Sequence, residues 1–368
     1  MYENDNRIVL TLDAGGTNFV FSAMRGGREA VAPLRVKAVT DNIEKCLETI
    51  AEGFRRISDS IGERSAAISF AFPGPADYRH GVIGRLPNFP AFSGGGTALG
   101  PWLEKIFKIP VFINNDGNLY AYGEALCGFL PEINEKLHRN GSRRQYRNLL
   151  GVTFGTGFGA GVVIDDRLLT GDNGCGGDVW CMQNVLHPDM IAEEGVSIRA
   201  VRRIYEELSG ESAAQFNPKD IYDIADGIRP GNRQAAVETF MQFGRTAGNA
   251  IAHAIDIVDG LVVIGGGVSG AAKYIFPGIL AEMRSSLSTF AGASFPRLQS
   301  EVYDLTDPSQ LASFLDEGPQ EVTMPFSDEK VPYFKNKRIG VGLSSIGTSE
   351  AIAAGAYAYA LSRLDEQL

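Results

Sequence analysis

The sequence predicts an α/β protein made of two related halves, each a mixed β-sheet covered by helices, which face each other across a cleft. The first observation is the order of patterns near the start, where strands at IVLTLDAGG, FVFSAMRGG and EAVAPLRVKAV precede helix and strand in alternation. The second is a restart, because NLLGVTFGTGFGAGVVIDDRLLTG repeats the strand, glycine turn and strand of LTLDAGGTNFVFSAMRGGR. Similarity at half-chain scale indicates a duplicated domain, since a solenoid repeats about every 20 to 50 residues.

The other elements are predicted in chain order from their spacing. DNIEKCLETIAEGFRRISDSI has helical periodicity, and AAISFAFPG and IPVFINNDG are strands that end in turn or polar residues. Two helical stretches, AEEGVSIRAVRRIYEEL and AAVETFMQFGRTAGNAIAHAIDI, precede the buried strand GLVVIGGGVSG. The prolines and charges of residues 303–338 predict a peripheral insertion in which EVTMPF and RIGVGLS form a hairpin. The last helix, TSEAIAAGAYAYALSRL, is expected to pack on the first half.

Composition limits the class of protein. The chain has 368 residues, 44% hydrophobic and 21% charged, which is enough for two cores of ordinary domain size. Its net charge of -10 argues against general binding of nucleic acid or of an anionic membrane surface. Four scattered cysteines imply no disulfide framework. The start of the sequence is unlike a secretory signal, and no apolar run approaches the roughly 20 residues that a bilayer requires. We therefore expect a cytoplasmic protein with small-molecule partners.

Two glycine turns are candidates for phosphate binding. The first contains Gly15, Gly16, Thr17 and Asn18, and the second contains Gly155, Thr156 and Gly157. Glycine lets backbone N–H groups approach an anion without obstruction by a Cβ atom. Asp13, at the end of its strand, is placed to orient water on a magnesium ion that bridges phosphate oxygens. One such turn alone would indicate a hairpin, but two copies in a duplicated fold favour paired phosphate sites.

A third glycine cluster, VVIGGGVSG, formally satisfies G-x-G-x-x-G. A dinucleotide site would also need an acidic residue after a second parallel strand about 20 residues on, and the chain offers none in that context. We therefore interpret Gly265, Gly266 and Gly267 as a platform on which a nucleotide base and ribose lie close to the backbone.

Polar residues gather after two strands of the first half. Asn88 lies in a proline-bracketed loop, and Asn114, Asn115 and Asp116 end a strand just before a helix. Amides and a carboxylate suit a ligand with many hydroxyl groups, since each hydroxyl donates and accepts a hydrogen bond. Asp116 is then a candidate general base. Helix capping explains the stretch NNDGN equally well, and both interpretations stay open at this point.

The motifs LDAGGTN, FPGPAD, LPNFPAF, NNDGN, TFGTGFGAG and VVIGGGVS, in this order, resemble the ROK family of sugar kinases in the actin-like ATPase superfamily. The resemblance runs from about residue 8 to 270 and resumes in the last helix. It implies two actin-like (ribonuclease H-like) domains, each with a mixed five-stranded sheet. The smaller domain would contain residues 1–117 and 349–368, and the larger 118–348 with the insertion at 303–338. A homodimer is also implied.

The resemblance also implies the site. It assigns ATP and Mg²⁺ to Asp13, Gly15, Gly16, Thr17, Asn18, Thr156, Gly157, Gly265, Gly266 and Gly267. It assigns the sugar to Gly74, Asn88, Asn115 and Asp116, with Asp116 taking the proton from the attacking hydroxyl. The segment AEEGVSIRAVRR resembles the one that presents a glutamate to the sugar, which favours Glu193, with Glu194 as the alternative.

The chain departs from the family pattern at residues 177–181. Where typical members have Gly-Glu-x-Gly-His, this chain keeps a carboxylate at Asp178 but has Cys181 in place of the histidine that would touch sugar and zinc. The cysteine cluster that normally follows is missing, and Cys175, Cys181 and His187 do not form a zinc pattern. We therefore predict a sugar site that includes Asp178 and Cys181, and no zinc site.

Two functions follow from these observations. The first is an ATP-dependent kinase that phosphorylates the 6-hydroxyl of glucose, or of fructose, mannose or an N-acetylated hexosamine. The alternative is a catalytically weak or silent sugar-binding or regulatory protein without a DNA-binding domain, supported by the altered segment at 177–181. A basic stretch, EKLHRNGSRRQYRN at 135–148, suggests a polyphosphate track, although a solvated loop is the favoured interpretation.

Overall fold

The computed structural model describes residues 2, 4–14, 18–86, 89–316 and 321–366. Its strands are β1 (Val9–Ala14), β2 (Asn18–Arg25), β3 (Arg28–Glu29), β4 (Leu34–Lys37), β5 (Ala67–Ala71), β6 (Ala76–Asp77), β7 (Val82–Ile83), β8 (Val111–Asn114), β9 (Leu149–Phe154), β10 (Phe158–Ile164), β11 (Arg167–Leu168), β12 (Leu261–Gly265), β13 (Ser286–Ser288), β14 (Ser294–Pro296), β15 (Glu301–Asp304), β16 (Glu321–Thr323), β17 (Lys330–Pro332) and β18 (Arg338–Leu343). Its α-helices are α1 (Ile43–Ile61), α2 (Leu99–Phe107), α3 (Asp116–Leu126), α4 (Phe129–Arg139), α5 (Ile198–Ser209), α6 (Pro218–Ala225), α7 (Arg233–Val258), α8 (Ala272–Met283), α9 (Pro308–Leu315) and α10 (Thr348–Asp365).

The chain divides into two compact units. The first contains Met1–Gly128, Asp166–Gly176 and Ile346–Leu368, and the second contains Phe129–Asp165 and Gly177–Ser345. The predicted boundary between residues 117 and 118 lies inside α3, yet the whole helix belongs to the first unit because it packs along α10. Within the described part of the chain, every helix is too short or too polar to span a lipid bilayer.

The first unit is built around a mixed sheet of six strands, one more than the five expected. Its strand order is β3-β2-β1-β5-β8, with β4 paired to β2. β1 runs antiparallel to β2 and parallel to β5, which is parallel to β8. Side chains alternate between the two faces, so that Leu10 and Leu12 pack with Phe54 of α1 while Val9 packs with Tyr357 of α10. The sheet therefore lies between α1 and α10.

The second unit repeats this sheet. Its strands follow the order β10-β9-β12-β18-β15, with β9 antiparallel to β10 and parallel to β12. β18 is parallel to both β12 and β15. The order β2-β1-β5-β8 of the first unit thus recurs as β10-β9-β12-β18, with the same strand directions. The predicted duplication is therefore visible in the topology.

The predicted hairpin between EVTMPF and RIGVGLS is wrong. β16 pairs with β17, and β18, which contains RIGVGL, lies between β12 and β15 in the sheet. Ile339 and Val341 of β18 are buried, as expected for a parallel strand that is covered on both faces. β15 also belongs to this sheet, so the sheet includes residues 303 and 304 of the predicted insertion.

Two glycines bring α3 and α10 into backbone contact. A Cβ atom on Gly123 would lie 1.9 Å from the carbonyl oxygen of Ala351, and one on Gly355 would lie 1.9 Å from that of Leu119. The helices can approach this closely only where neither carries a side chain. Because α3 begins at Asp116, the contact fixes the helix that carries this residue.

Candidate active site

Three parallel strands of the first unit end side by side. Asp13 of β1 lies in register with Ala71 of β5, and Ala71 lies in register with Asn114 of β8. The carboxyl ends of parallel strands meet at one edge of a sheet, which is where ligands of open α/β sheets bind. Asp13 and Asp116 are close enough that the charge of Asp116 raises the pKa of Asp13. The fold therefore brings these two predicted residues together.

The start of α3 is held by a network of amides. Asn115 caps the helix, and its Oδ1 accepts a hydrogen bond from the N–H of Asn118 at 2.5 Å. Oδ1 of buried Asn114 accepts from the N–H of Asn115 at 2.9 Å and from Nδ2 of Asn118 at 3.0 Å. Helix capping is therefore correct for Asn115. The cap leaves Asp116 in the first helical turn, where the helix dipole favours a negative charge.

Asp116 combines solvent access with a high affinity for protons. Its side chain is exposed, and its Oδ1 accepts the N–H of Gly117 at 2.9 Å. The surrounding protein raises the pKa of Asp116 by desolvation, and the backbone N–H of Gly117 acts in the opposite direction. A carboxylate with a raised pKa that still reaches solvent is suited to general-base chemistry.

Asp13 lies in a cavity of about 330 Å³ at the end of β1. Desolvation and then the charge of Asp116 raise the pKa of Asp13, while the guanidinium of Arg35 lowers it. The other polar side chains on the cavity wall are those of Thr11, Ser22, Glu29, Ser349 and Glu350. Sequence reasoning missed Arg35, because it lies on a separate strand that carries no motif.

Only some of the remaining predicted site residues of the first unit lie in the described part of the chain. Four lie outside the described residues: Gly15, Gly16, Thr17 and Asn88. Asn18 is the first residue of β2 and lies opposite Lys37 of β4. Gly74 lies in an exposed loop after β5, and a Cβ atom there would be 2.9 Å from the hydroxyl of Tyr78.

The glycine turn of the second unit joins β9 to β10. The N–H of Gly155 donates to the carbonyl of Gly157 at 3.1 Å, and the N–H of Ile198 donates to the carbonyl of Gly155 at 2.9 Å. Thr156 is exposed at the tip. The first residue of α5 therefore holds the turn through a backbone hydrogen bond, and the tip of the turn stays exposed to solvent.

Glu193 is fixed against this turn. It lies in the 3₁₀ helix Ala192–Glu194, and its Oε2 accepts the N–H of Phe158 at 3.0 Å. Nη2 of Arg199 donates to Oε1 of Glu193 at 2.8 Å and to Oε1 of Glu194 at 2.7 Å. Of the two glutamates, Glu193 alone contacts the turn among the described hydrogen bonds. Sequence reasoning missed Arg199, because its separation of six residues from Glu193 crosses from one helix into another.

The triple glycine lies beside the turn. Gly265 ends β12 in register with Thr153 of β9, so the two glycine segments occupy the same edge of the sheet. Gly266 has a φ of 88°, and a Cβ atom there would lie 2.3 Å from the carbonyl oxygen of Phe154. A Cβ atom on Gly267 would meet no atom within 4 Å. The backbone at 265–267 is thus packed on one side and open on the other.

Asp178 precedes a short 3₁₀ helix, Val179–Cys181, and Cys181 is the last residue of that helix. The exposed Cys181 thiol donates to the carbonyl of Asp178 at 3.1 Å, and the Asp178 side chain is half-buried. Cys175 belongs to the other unit. Among the residues described, no three or more His, Cys, Asp or Glu side chains form a group that could hold a metal ion.

Arginines of the basic stretch at 135–148 contact other residues of the second unit. Three of its arginines contact neighbours there: Arg139 with Glu135, Arg144 with the ring of Phe334, and Arg147 with Asp165. Cations that already have partners attract a polyanion less strongly. The contacts therefore favour a surface loop over a polyphosphate track.

Known proteins resemble this chain in sequence and in fold. The model of the ROK family matches residues 9–303. A solved structure of glucokinase from Parabacteroides distasonis is 56% identical, covers 98% of this chain and 99% of that chain, and has a TM-score of 0.88. Glucokinase from Thermotoga maritima is 28% identical over 287 residues, which are 73% of this chain and 84% of that protein. N-acetyl-D-glucosamine kinase from Vibrio cholerae is 28% identical over 286 residues, 70% of this chain and 83% of that protein. The expected actin-like ATPase fold is confirmed.

Proposed function

The chain belongs to the ROK family and is a sugar kinase, and from this premise we propose that it transfers the γ-phosphoryl group of ATP to the 6-hydroxyl of a hexose. The observation that carries the proposal is the pair of acids, Asp13 and Asp116, at one edge of the first sheet. Glucose is the leading acceptor, supported by the two relatives named glucokinase. An N-acetylated hexosamine is the next, supported by the Vibrio cholerae relative, followed by fructose and mannose.

Asp116 is the proposed general base. Its carboxylate accepts the proton of the sugar hydroxyl as the hydroxyl oxygen forms a bond to the γ-phosphorus. The bond from that phosphorus to the bridging oxygen breaks, and ADP leaves with the electron pair. The raised pKa of Asp116 strengthens its hold on the proton during the transfer. The proton then passes to solvent, which reaches the exposed side chain.

Backbone N–H groups are proposed to bind the phosphates of ATP. The donors would come from residues 15–18, from the turn at 155–157 and from Gly265, Gly266 and Gly267. Asp13 fits a role in holding Mg²⁺ through water, because its carboxylate is exposed, lies at a strand end and is repelled by Asp116. When bound, the metal ion would neutralise charge on the phosphate oxygens.

The sugar is proposed to contact Gly74, Asn88, Asn115 and Asp116 of the first unit and Asp178, Cys181 and Glu193 of the second. Because Oδ1 of Asn115 is used in the cap, its Nδ2 would donate to a sugar hydroxyl. Cys181 is a weaker hydrogen-bonding group than the family's histidine, so a different set of sugars is expected to bind. We also propose that the protein is a cytoplasmic homodimer.

Assays of sugar phosphate formation test the proposal. Purified protein is incubated with MgATP and with glucose, N-acetylglucosamine, mannose or fructose, and each product is quantified. Glucose should give the highest kcat/KM, and Asp116→Asn should lower kcat by about 10²- to 10⁴-fold while calorimetry still detects sugar binding. Asp41→Asn, at an exposed position, is the control. Polyphosphate in place of ATP should support no turnover.

The altered segment at 177–181 favours a second candidate, a silent sugar-binding protein. Sugar binding by calorimetry without product from any sugar on the panel would support that candidate and contradict the kinase proposal.

A further inference from the structure

One row of residues crosses three strands of the first unit. Arg35 of β4 lies in register with Val20 of β2, and Val20 lies in register with Asp13 of β1. Residues directly opposite each other in a sheet point to the same face. Neighbouring strands are about 4.8 Å apart, so the Cα atoms of Arg35 and Asp13 are about 10 Å apart. A long side chain on Arg35 can therefore extend toward the carboxylate.

Both side chains line the same cavity, and Arg35 is the cation among its lining residues in the described part of the chain. The side chain of Arg35 makes no hydrogen bond or ion pair with another side chain or backbone group in the described part of the chain. Its guanidinium nevertheless acts electrostatically on Asp13. Glu29 and Glu350 lie on the same wall. The guanidinium thus shares a cavity with three acids and forms no described ion pair with any of them.

We propose that Arg35 is a positioning residue of the phosphoryl-transfer site, and that its guanidinium holds the Asp13 carboxylate in place against repulsion from Asp116. The inference rests on the proposed function. Two carboxylates beside a polyphosphate repel the phosphate oxygens as well as each other, and a neighbouring cation offsets this repulsion. Arg35 is carried by a strand of the same sheet, so the pairing of that sheet fixes its backbone relative to that of Asp13.

Substitution of Arg35 provides the first test. Arg35→Met removes the charge and keeps an apolar stem, whereas Arg35→Lys keeps the charge. Arg35→Met should lower kcat by about 10- to 100-fold, with the KM for sugar changed less than about twofold, because Asp13 is displaced. Arg35→Lys should recover most of the loss. Arg55→Met is the matched control, since Arg55 is an exposed arginine on α1 that pairs with Glu52.

A double-mutant cycle with Asp13→Asn gives the decisive readout. If Arg35 acts through Asp13, adding Arg35→Met to Asp13→Asn should change kcat by less than about twofold. Fully additive losses would overturn the inference, because Arg35 would then act on the phosphates directly or on the fold. The inference would also be overturned if Arg35→Lys lost as much Tm and as much kcat as Arg35→Met, because retaining the charge would then have no benefit.

Failure of the inference and failure of the proposed function give different results in these assays. An inactive wild-type protein on every sugar contradicts the kinase proposal. An active wild-type protein whose Arg35→Met variant keeps its kcat within about twofold contradicts the inference alone. Should Arg35→Met fail to fold, Arg35→Gln, which removes the charge and keeps a polar side chain, carries the same cycle with Asp13→Asn.

Discussion

The carboxylate of Glu193 occupies the space beside Gly157 that a side chain at position 157 would need. Its Oε2 accepts the N–H of Phe158 at 3.0 Å and would lie 2.5 Å from a Cβ atom on Gly157. The glycine therefore does more than keep the turn tight, because it admits an acid from another element. A residue proposed to contact sugar thus touches the turn proposed to bind phosphate.

Gly157→Ala should displace Glu193 from the N–H of Phe158. Loss of a hydrogen bond to a charged group is expected to cost about 1.5 to 3 kcal/mol, and thermal unfolding should show a lower Tm. Gly155→Ala is the matched control, because a Cβ atom there would meet no atom within 4 Å. Equal Tm values for the two variants would mean that Glu193 adapts to the new methyl group at no cost.

Glu193 and Glu194 can be distinguished by their kinetics. Glu193→Gln should raise the KM for sugar by about tenfold or more, because the side chain next to the turn loses its charge. Glu194→Gln should change the KM for sugar by less than about twofold, since Glu194 is the more exposed of the two and makes no described hydrogen bond to the turn. The reverse result would assign the sugar contact to Glu194.

The raised pKa of Asp116 predicts a pH-dependent stability. A carboxyl group with a higher pKa in the folded protein stabilises the fold while it is protonated, and this contribution is lost as pH rises through the folded pKa. Asp116→Asn cannot ionise, so it should have a higher Tm than wild type at neutral pH and an equal Tm below the ordinary aspartate pKa of 3.8. Tm measured from pH 3 to pH 8, with Asp41→Asn as the control, checks this sign. A lower Tm for Asp116→Asn at neutral pH would contradict it.

The sheets could be predicted from sequence where the signal is local. Strands β1, β2, β9 and β10 alternate or are continuously apolar, and in the sequence each pair is separated by a short glycine-containing segment. The partner of β18 could not be predicted, because a short apolar run such as RIGVGL is equally suited to a hairpin or to a central parallel strand. Its pairing with β12 and β15 depends on distant parts of the chain.

In the candidate site, too, residues with a local sequence signal could be predicted and residues that depend on distant contacts could not. The positions of Asp13 and Asp116 could be predicted, because Asp13 lies at the end of one strand and Asp116 just after another, and both strand ends are evident in the sequence. Arg35 and Arg199 could not be predicted, because each lies on a different element from the acid that it affects. No helical or strand period connects the arginine with that acid. Assignment of α3 to the first unit depends on Gly123 and Gly355, and glycines add nothing to a hydrophobic pattern.

Gly355→Ala should destabilise the first unit. A Cβ atom on Gly355 would lie 1.9 Å from the carbonyl oxygen of Leu119, and the helices α3 and α10 must separate to accept it. Overpacking of this kind is expected to cost about 1 to 3 kcal/mol or more, although alanine has a helix propensity about 1 kcal/mol better than that of glycine. The measured loss of Tm therefore reports the contact between the helices and not the helix itself.

Gly94→Ala is the control for this variant, because a Cβ atom there would meet no atom within 4 Å and its Tm should stay unchanged. Activity supplies a second measurement. Since α3 begins at Asp116, separation of the helices moves the proposed base, and kcat of Gly355→Ala should fall even at temperatures well below its Tm. A variant with the Tm and kcat of wild type would show that the two backbones are not in contact.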